Sequence, residues 1–203
     1  MSFTVETGNP GLRDVLKERT RQAHLETEKA MDLMSPHLDV ARYRHLLRGF
    51  FEFHAAFEEF LNVHRKDWPS AVEFYFKDRR KMQWLTEDLQ SLGADALPSA
   101  ERIQENFQRL NEKIRSEAQL WAAIYVIEGS TMGGQVLHGH VTASLGLSEG
   151  KGTRYFRSYQ SEMGKQWVRF LSELNSLTLA PDGTESAVKA ADEIFEMFKE
   201  IGS

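Results

Sequence analysis

The chain has 203 residues, with 25 lysines and arginines against 30 aspartates and glutamates and a net charge of −5. That length allows one sizeable core, and the scattered, mildly acidic charge argues against nucleic-acid binding, which needs a concentrated basic face. The absence of cysteine excludes disulfides, thiolate metal sites and cysteine nucleophiles.

Residues 1–10 read as a flexible N-terminal lead, without the basic start and apolar core of a secretory signal, and residues 11–203 as a single helical domain. The first helix is expected from about Leu12 to Met31, broken by Ser35-Pro36-His37. A second, from Val40 to Val63, carries Tyr43, Leu46, Leu47, Phe50, His54, Phe57 and Leu61 at three- and four-residue steps, the clearest helical periodicity in the chain. Its aromatic stripe reads as core that also walls a pocket. After Trp68-Pro69-Ser70, a weak segment around Phe74 leads into a helix from about Asp78 to Leu92, capped by Gly93. Leu97-Pro98-Ser99 opens another, from about Ala100 to Arg115.

Leu120 to Leu147 then reads as one long apolar helix interrupted by Gly129-Ser130-Thr131-Met132-Gly133-Gly134. Each glycine in a helix interior costs about 0.5–1 kcal/mol relative to alanine, so a group of them implies a kink or a bare backbone face. Gly129 and Gly133, four apart, share one side of the helix and leave it bare for about a turn, as a planar ligand requires. A helix from about Tyr155 to Leu177 follows, and after Ala180-Pro181-Asp182-Gly183 a last one buries Val188, Ala191, Ile194, Phe195 and Phe198. No run reaches the roughly 18 apolar residues of a membrane span and no stretch alternates as a strand must. The fold class is therefore an all-α single-domain bundle, expected to be cytoplasmic and monomeric.

Of the seven histidines, His24 stands out by its company. Lys17, Arg21 and Glu28 lie seven before, three before and four after it, on one helix face. A ligating histidine usually gives its other ring proton to a carboxylate, carbonyl or water, a part open to Glu28. A histidine ligand, nearby cations and a bare-backed helix together suit an iron porphyrin, with the cations on its propionates.

The stretch Leu16-Lys17-Glu18-Arg19-Thr20-Arg21-Gln22-Ala23-His24 with Glu28, followed about a hundred residues later by Tyr125-Val126-Ile127-Glu128-Gly129-Ser130-Thr131-Met132-Gly133-Gly134-Gln135-Val136-Leu137, resembles heme oxygenases of the soluble bacterial type. The resemblance implies heme held between a proximal helix supplying His24 and a kinked, glycine-containing distal helix, with Glu28 near the ligand's other nitrogen. It implies that Lys17 pairs with a propionate and that backbone at Gly129, Gly133 and Gly134, with Tyr125 on the same motif, approaches the heme. Lys165 and Arg169 are candidates for further propionate partners. Ser130 stands where many eukaryotic members carry an aspartate, so the ordering of distal water must fall to Ser130, to backbone groups or to other waters.

The activity implied is cleavage of heme, both substrate and cofactor, to biliverdin, iron and carbon monoxide. It would use molecular oxygen and electrons from a ferredoxin or flavoprotein reductase, with a bilin-binding photoreceptor as a possible acceptor of the product. Two alternatives stay open: a non-catalytic heme carrier or sensor on the same fold, and a di-iron centre using His54 with Glu52, Glu58 or Glu59. The Glu-x-x-His spacing of a di-iron bundle is absent.

Overall fold

The structure, a computed structural model, describes residues 11–93, 98–148 and 151–203. The expected lead and Leu97 lie outside them. Among the described residues the chain is helical throughout: α1 (Leu12–Arg19), α2 (Arg21–Met31), α3 (Val40–Val63), α4 (Pro69–Asp78), α5 (Met82–Ser91), α6 (Ala100–Lys113), α7 (Glu117–Leu145), α8 (Arg154–Arg157), a 3-10 turn (Gln160–Glu162), α9 (Met163–Ser176) and α10 (Pro181–Ile201). None of these helices is long and apolar enough to cross a membrane.

Local chemistry sets the boundaries. The Asp39 carboxylate accepts from the Arg42 amide at 2.7 Å to start α3, and the Ser99 and Ser116 hydroxyls cap α6 and α7 in the same way. Pro69 and Pro181 open α4 and α10, where a missing N–H costs nothing. Gly146, at φ 61°, ends α7.

The core forms where α10 packs on α7, α2 and α3. The aromatic stripe of α3 lies here: Phe53 stacks on Phe57 with centroids 5.9 Å apart and meets Phe198 edge-on at 4.7 Å. Burial of each such ring contributes roughly 1.5–3 kcal/mol. In α7, Leu120 to Ile124 are buried without interruption, so this stretch is enclosed on all sides, whereas Met132, Gly133 and Val136 are exposed.

Two expected helices are divided, and a third starts later than expected. The first bends at Thr20, whose hydroxyl bonds the Leu16 carbonyl at 2.8 Å, and becomes α1 and α2. The segment around Phe74 is itself helical, as α4, and Arg79–Lys81 link it to α5, so the helix expected from Asp78 begins at Met82. The expected Tyr155–Leu177 helix is interrupted after α8 by positive φ at Ser158 (42°) and Gln160 (53°). The glycine stretch, in contrast, leaves α7 unbroken; there the Ser130 and Thr131 hydroxyls bond back to the carbonyls of Ile127 and Glu128, each at 2.7 Å.

Candidate active site

A cavity of about 440 Å³ opens between α1–α2 and α7, with aromatic side chains of α3, α8, α9 and α10 closing it. From α1 and α2 come Arg13, Lys17, His24, Thr27, Glu28 and Met31; from α7 come Tyr125, Val126, Gly129 to Gly134 and Leu137. Phe50, Tyr155, Phe156, Trp167, Phe195 and Phe198 supply the apolar walls. The size and the mostly apolar lining with a few polar groups are those of a small-molecule site.

The glycines divide into two kinds. A Cβ built on Gly129 or Gly133 would meet nothing within 4 Å, so that side of α7 is bare and faces open space. A Cβ on Gly134 would collide with the backbone carbonyl of Phe156, so this glycine lets α8 lie directly against α7.

On the other side, His24 presents its ring to the cavity with its side chain 52% exposed, edge-on to Phe195 at 5.7 Å. Its Nε2 lies 3.7 Å from a Glu28 carboxylate oxygen, near but beyond a hydrogen bond. Lys17 forms no ion pair among the described residues, and Arg13, one turn before it, also faces the cavity while bonding Asp14 at 2.5 Å. Burial pushes the Tyr125 phenol up, and nearby Arg13 opposes that shift.

The remaining cations named from sequence stand elsewhere. Arg21 is exposed and does not line the cavity. Lys165 bonds Glu162 at 2.9 Å, and Arg169 bonds Asp78 at 2.8 Å. On α9 it is Trp167 that reaches the cavity, and residues two away from it on a helix point to different sides. Arg13 is the cation that sequence reading missed, although its i,i+4 spacing to Lys17 was a usable signal.

His54 and the α3 carboxylates do not form a metal centre. The Glu52 carboxylate accepts from the Ser99 amide at 2.7 Å, Glu58 from Arg80 at 2.7 Å, and His54 faces Tyr155. No group of three or more potential ligands converges among the described residues.

Behind α7 lies an ionic cluster that sequence reading did not anticipate. Glu128, 1% exposed, takes Lys81 at 2.9 Å and Arg79 on its two oxygens, and Tyr159 donates to it at 3.0 Å. Arg79 and Lys81 are themselves fully buried. Asp88 of α5 holds α8 in a different way, accepting from the Arg154 and Tyr155 amides at 2.7 and 2.8 Å. Burial nevertheless pushes its carboxyl up to about 6, against those two bonds.

The sequence pattern of the heme oxygenase family matches residues 11–203. The chain belongs to the heme oxygenase family. A heme oxygenase of Porphyra purpurea is 25% identical over 208 residues, spanning 95% of this chain and 87% of that protein. One from Xanthomonas campestris pv. campestris (strain 8004) is 35% identical over 106 residues, 50% of this chain and 53% of that protein. Among solved structures, heme oxygenase from Leptospira interrogans matches with a TM-score of 0.82 at 24% identity, covering 96% of this chain and 99% of that one. Heme oxygenase-1 from the cyanobacterium Synechocystis sp. PCC6803, solved in complex with heme, matches at 0.77 and 23% identity over 95% and 91% of the two chains. These structural likenesses bear out the all-helical fold. As a member of the heme oxygenase family, the protein is a heme-degrading oxygenase.

Proposed function

We propose that the protein cleaves heme to biliverdin, iron and carbon monoxide, using molecular oxygen and electrons from a redox partner such as a ferredoxin or a flavoprotein reductase. One observation carries this reading: the cavity that His24 enters from α2 is bounded on α7 by two glycines with open space where side chains would stand. A flat ligand can lie against such a face while an imidazole reaches its metal. His24 would be the iron ligand, with Glu28 one turn on to orient it, and Lys17 with Arg13 would pair with the propionates.

Heme, when bound, would supply both the redox-active iron and the ring that is cut. The chain's own residues hold that substrate, exclude bulk water through the aromatic walls, and keep strong acids away from the α7 face. The Thr27 hydroxyl shares its one proton between the Ala23 and Phe195 carbonyls, and those of Ser130 and Thr131 donate to main-chain carbonyls of α7. A neutral histidine also lacks the electron push of a thiolate, which would favour early splitting of the oxygen–oxygen bond.

The test is an absorption titration with hemin, followed by ascorbate or a ferredoxin–reductase system in air with catalase present. A one-to-one Soret complex whose band decays as a biliverdin band rises is the expected result. A complex that persists under every donor would favour a carrier or sensor, and no complex would overturn the assignment of this cavity.

A further inference from the structure

His54 has no part in that reading, yet it is buried in the middle of α3 and directed at the cavity wall. Its ring meets Phe53 and Tyr155 at centroid distances of 5.2 and 5.6 Å. Nε2 lies 3.1 Å from the Tyr155 hydroxyl, and Nδ1 has no hydrogen-bond partner. Tyr155 lines the cavity, and Ser130 stands on the same wall.

The directions of these bonds follow from counting protons. Burial, reinforced by nearby Lys81, holds the His54 imidazole well below its ordinary pKa, so the ring is neutral with a single N–H. A proton on Nδ1 would be an orphaned buried donor, the rarer and costlier defect; a proton on Nε2 leaves only a lone pair unsatisfied. His54 therefore donates to the Tyr155 oxygen. The Ser130 proton is taken by the Ile127 carbonyl at 2.7 Å, so Ser130 can meet a neighbouring hydroxyl only as an acceptor. The phenol proton is left to point at Ser130 or at a molecule in the cavity. Burial pushes that phenol well up, so it donates a hydrogen bond without giving up its proton.

Building on the heme oxygenase reading, we infer that Tyr155 is the cavity's hydrogen-bond donor to a small polar ligand, water or dioxygen, held beside Ser130 on the α7 face of the bound heme, and that His54 is the residue that positions it. Ser130, one of the groups to which the ordering of distal water was expected to fall, serves as an acceptor on the wall. The donor comes from α8, which the Asp88 carboxylate fixes in place by its first amides.

Two measurements test this. In the heme-free protein, 15N NMR of the His54 ring is expected to show a neutral Nε2-protonated tautomer from pH 5 to 8; an Nδ1-protonated ring, or titration within that range, would overturn the assignment. In the ferrous heme complex, Tyr155→Phe is expected to speed dioxygen release roughly tenfold, the loss of one hydrogen bond. His54→Met should match it, while His54→Gln, which restores a donor at the Nε2 position, should return the rate toward wild type. A normal Soret complex with unchanged release in Tyr155→Phe would overturn this inference alone. Failure of the wild-type protein to bind hemin would overturn the function it rests on as well.

Discussion

Lys81 and Glu128 meet at 2.9 Å in the protein interior, one residue before the first glycine of the cavity wall. With Arg79 on the other carboxylate oxygen, the single anion of Glu128 serves two fully buried cations. Burial holds the Lys81 ammonium below its ordinary range, although Glu128 pulls the other way. Removing the anion would leave Lys81 uncompensated and Arg79 with only Asp78, at 3.8 Å, in a low-dielectric site. Glu128→Ala is expected to cost about 3–5 kcal/mol, read from urea unfolding. A loss under about 1 kcal/mol would show that water or Asp78 takes over.

The two kinds of glycine separate function from folding. Gly133→Ala or Gly129→Ala should fold with near-normal stability, since the new methyl meets only open space, and should weaken hemin binding by filling that space. Gly134→Ala forces α7 and α8 apart at the Phe156 carbonyl and should cost about 1–3 kcal/mol in thermal or chemical denaturation. Equal effects at Gly133 and Gly134 would contradict this division.

His24→Ala should change thermal stability by no more than about 0.5 kcal/mol, because the side chain is half exposed and its carboxylate neighbour lies beyond hydrogen-bond distance. The same variant should lose the histidine-ligated heme spectrum. An unchanged axial signature would move the iron ligand to another residue.

Asp88 yields a pH dependence with a definite sign. Its folded carboxyl titrates at about 6, above the unfolded value of about 4. Between those values the folded state binds more protons, so this group's contribution is fully present below pH 4 and is lost as pH rises through 6. Subtracting the stability curve of Asp88→Asn from that of wild type should isolate a fall of up to about 3 kcal/mol across that window. A flat difference would place the carboxyl in the ordinary range.

The sequence was most legible where periodicity and capping agreed. Val40 to Val63 was expected as a helix between those residues and is one, because Asp39 caps an uninterrupted apolar stripe. The glycine stretch and His24 were found from spacing alone, and the structure brings both to one cavity. The divided helices were not legible: Ser158 and Gln160 adopt positive φ without the glycine that would announce it. Nor was the role of Asp78-Arg79-Arg80-Lys81, placed at the start of an expected helix; two of its cations are buried by an anion 47 residues or more away in sequence. Lys165 and Arg169 were chosen for charge, whereas helix phase turns Trp167 inward instead.

The contrast between the two halves of α7 grades its amide exchange. From Leu120 to Ile124 the helix is enclosed, and Glu128 ties it down a turn later, so those amides should exchange only by global unfolding. Beyond Met132, where Gly133 and Val136 are exposed and Gly139 has open space beside it, local opening suffices. The cavity thus has one wall with a rigid root and a limb able to breathe, and a large flat guest can enter and leave along the limb without loosening the core.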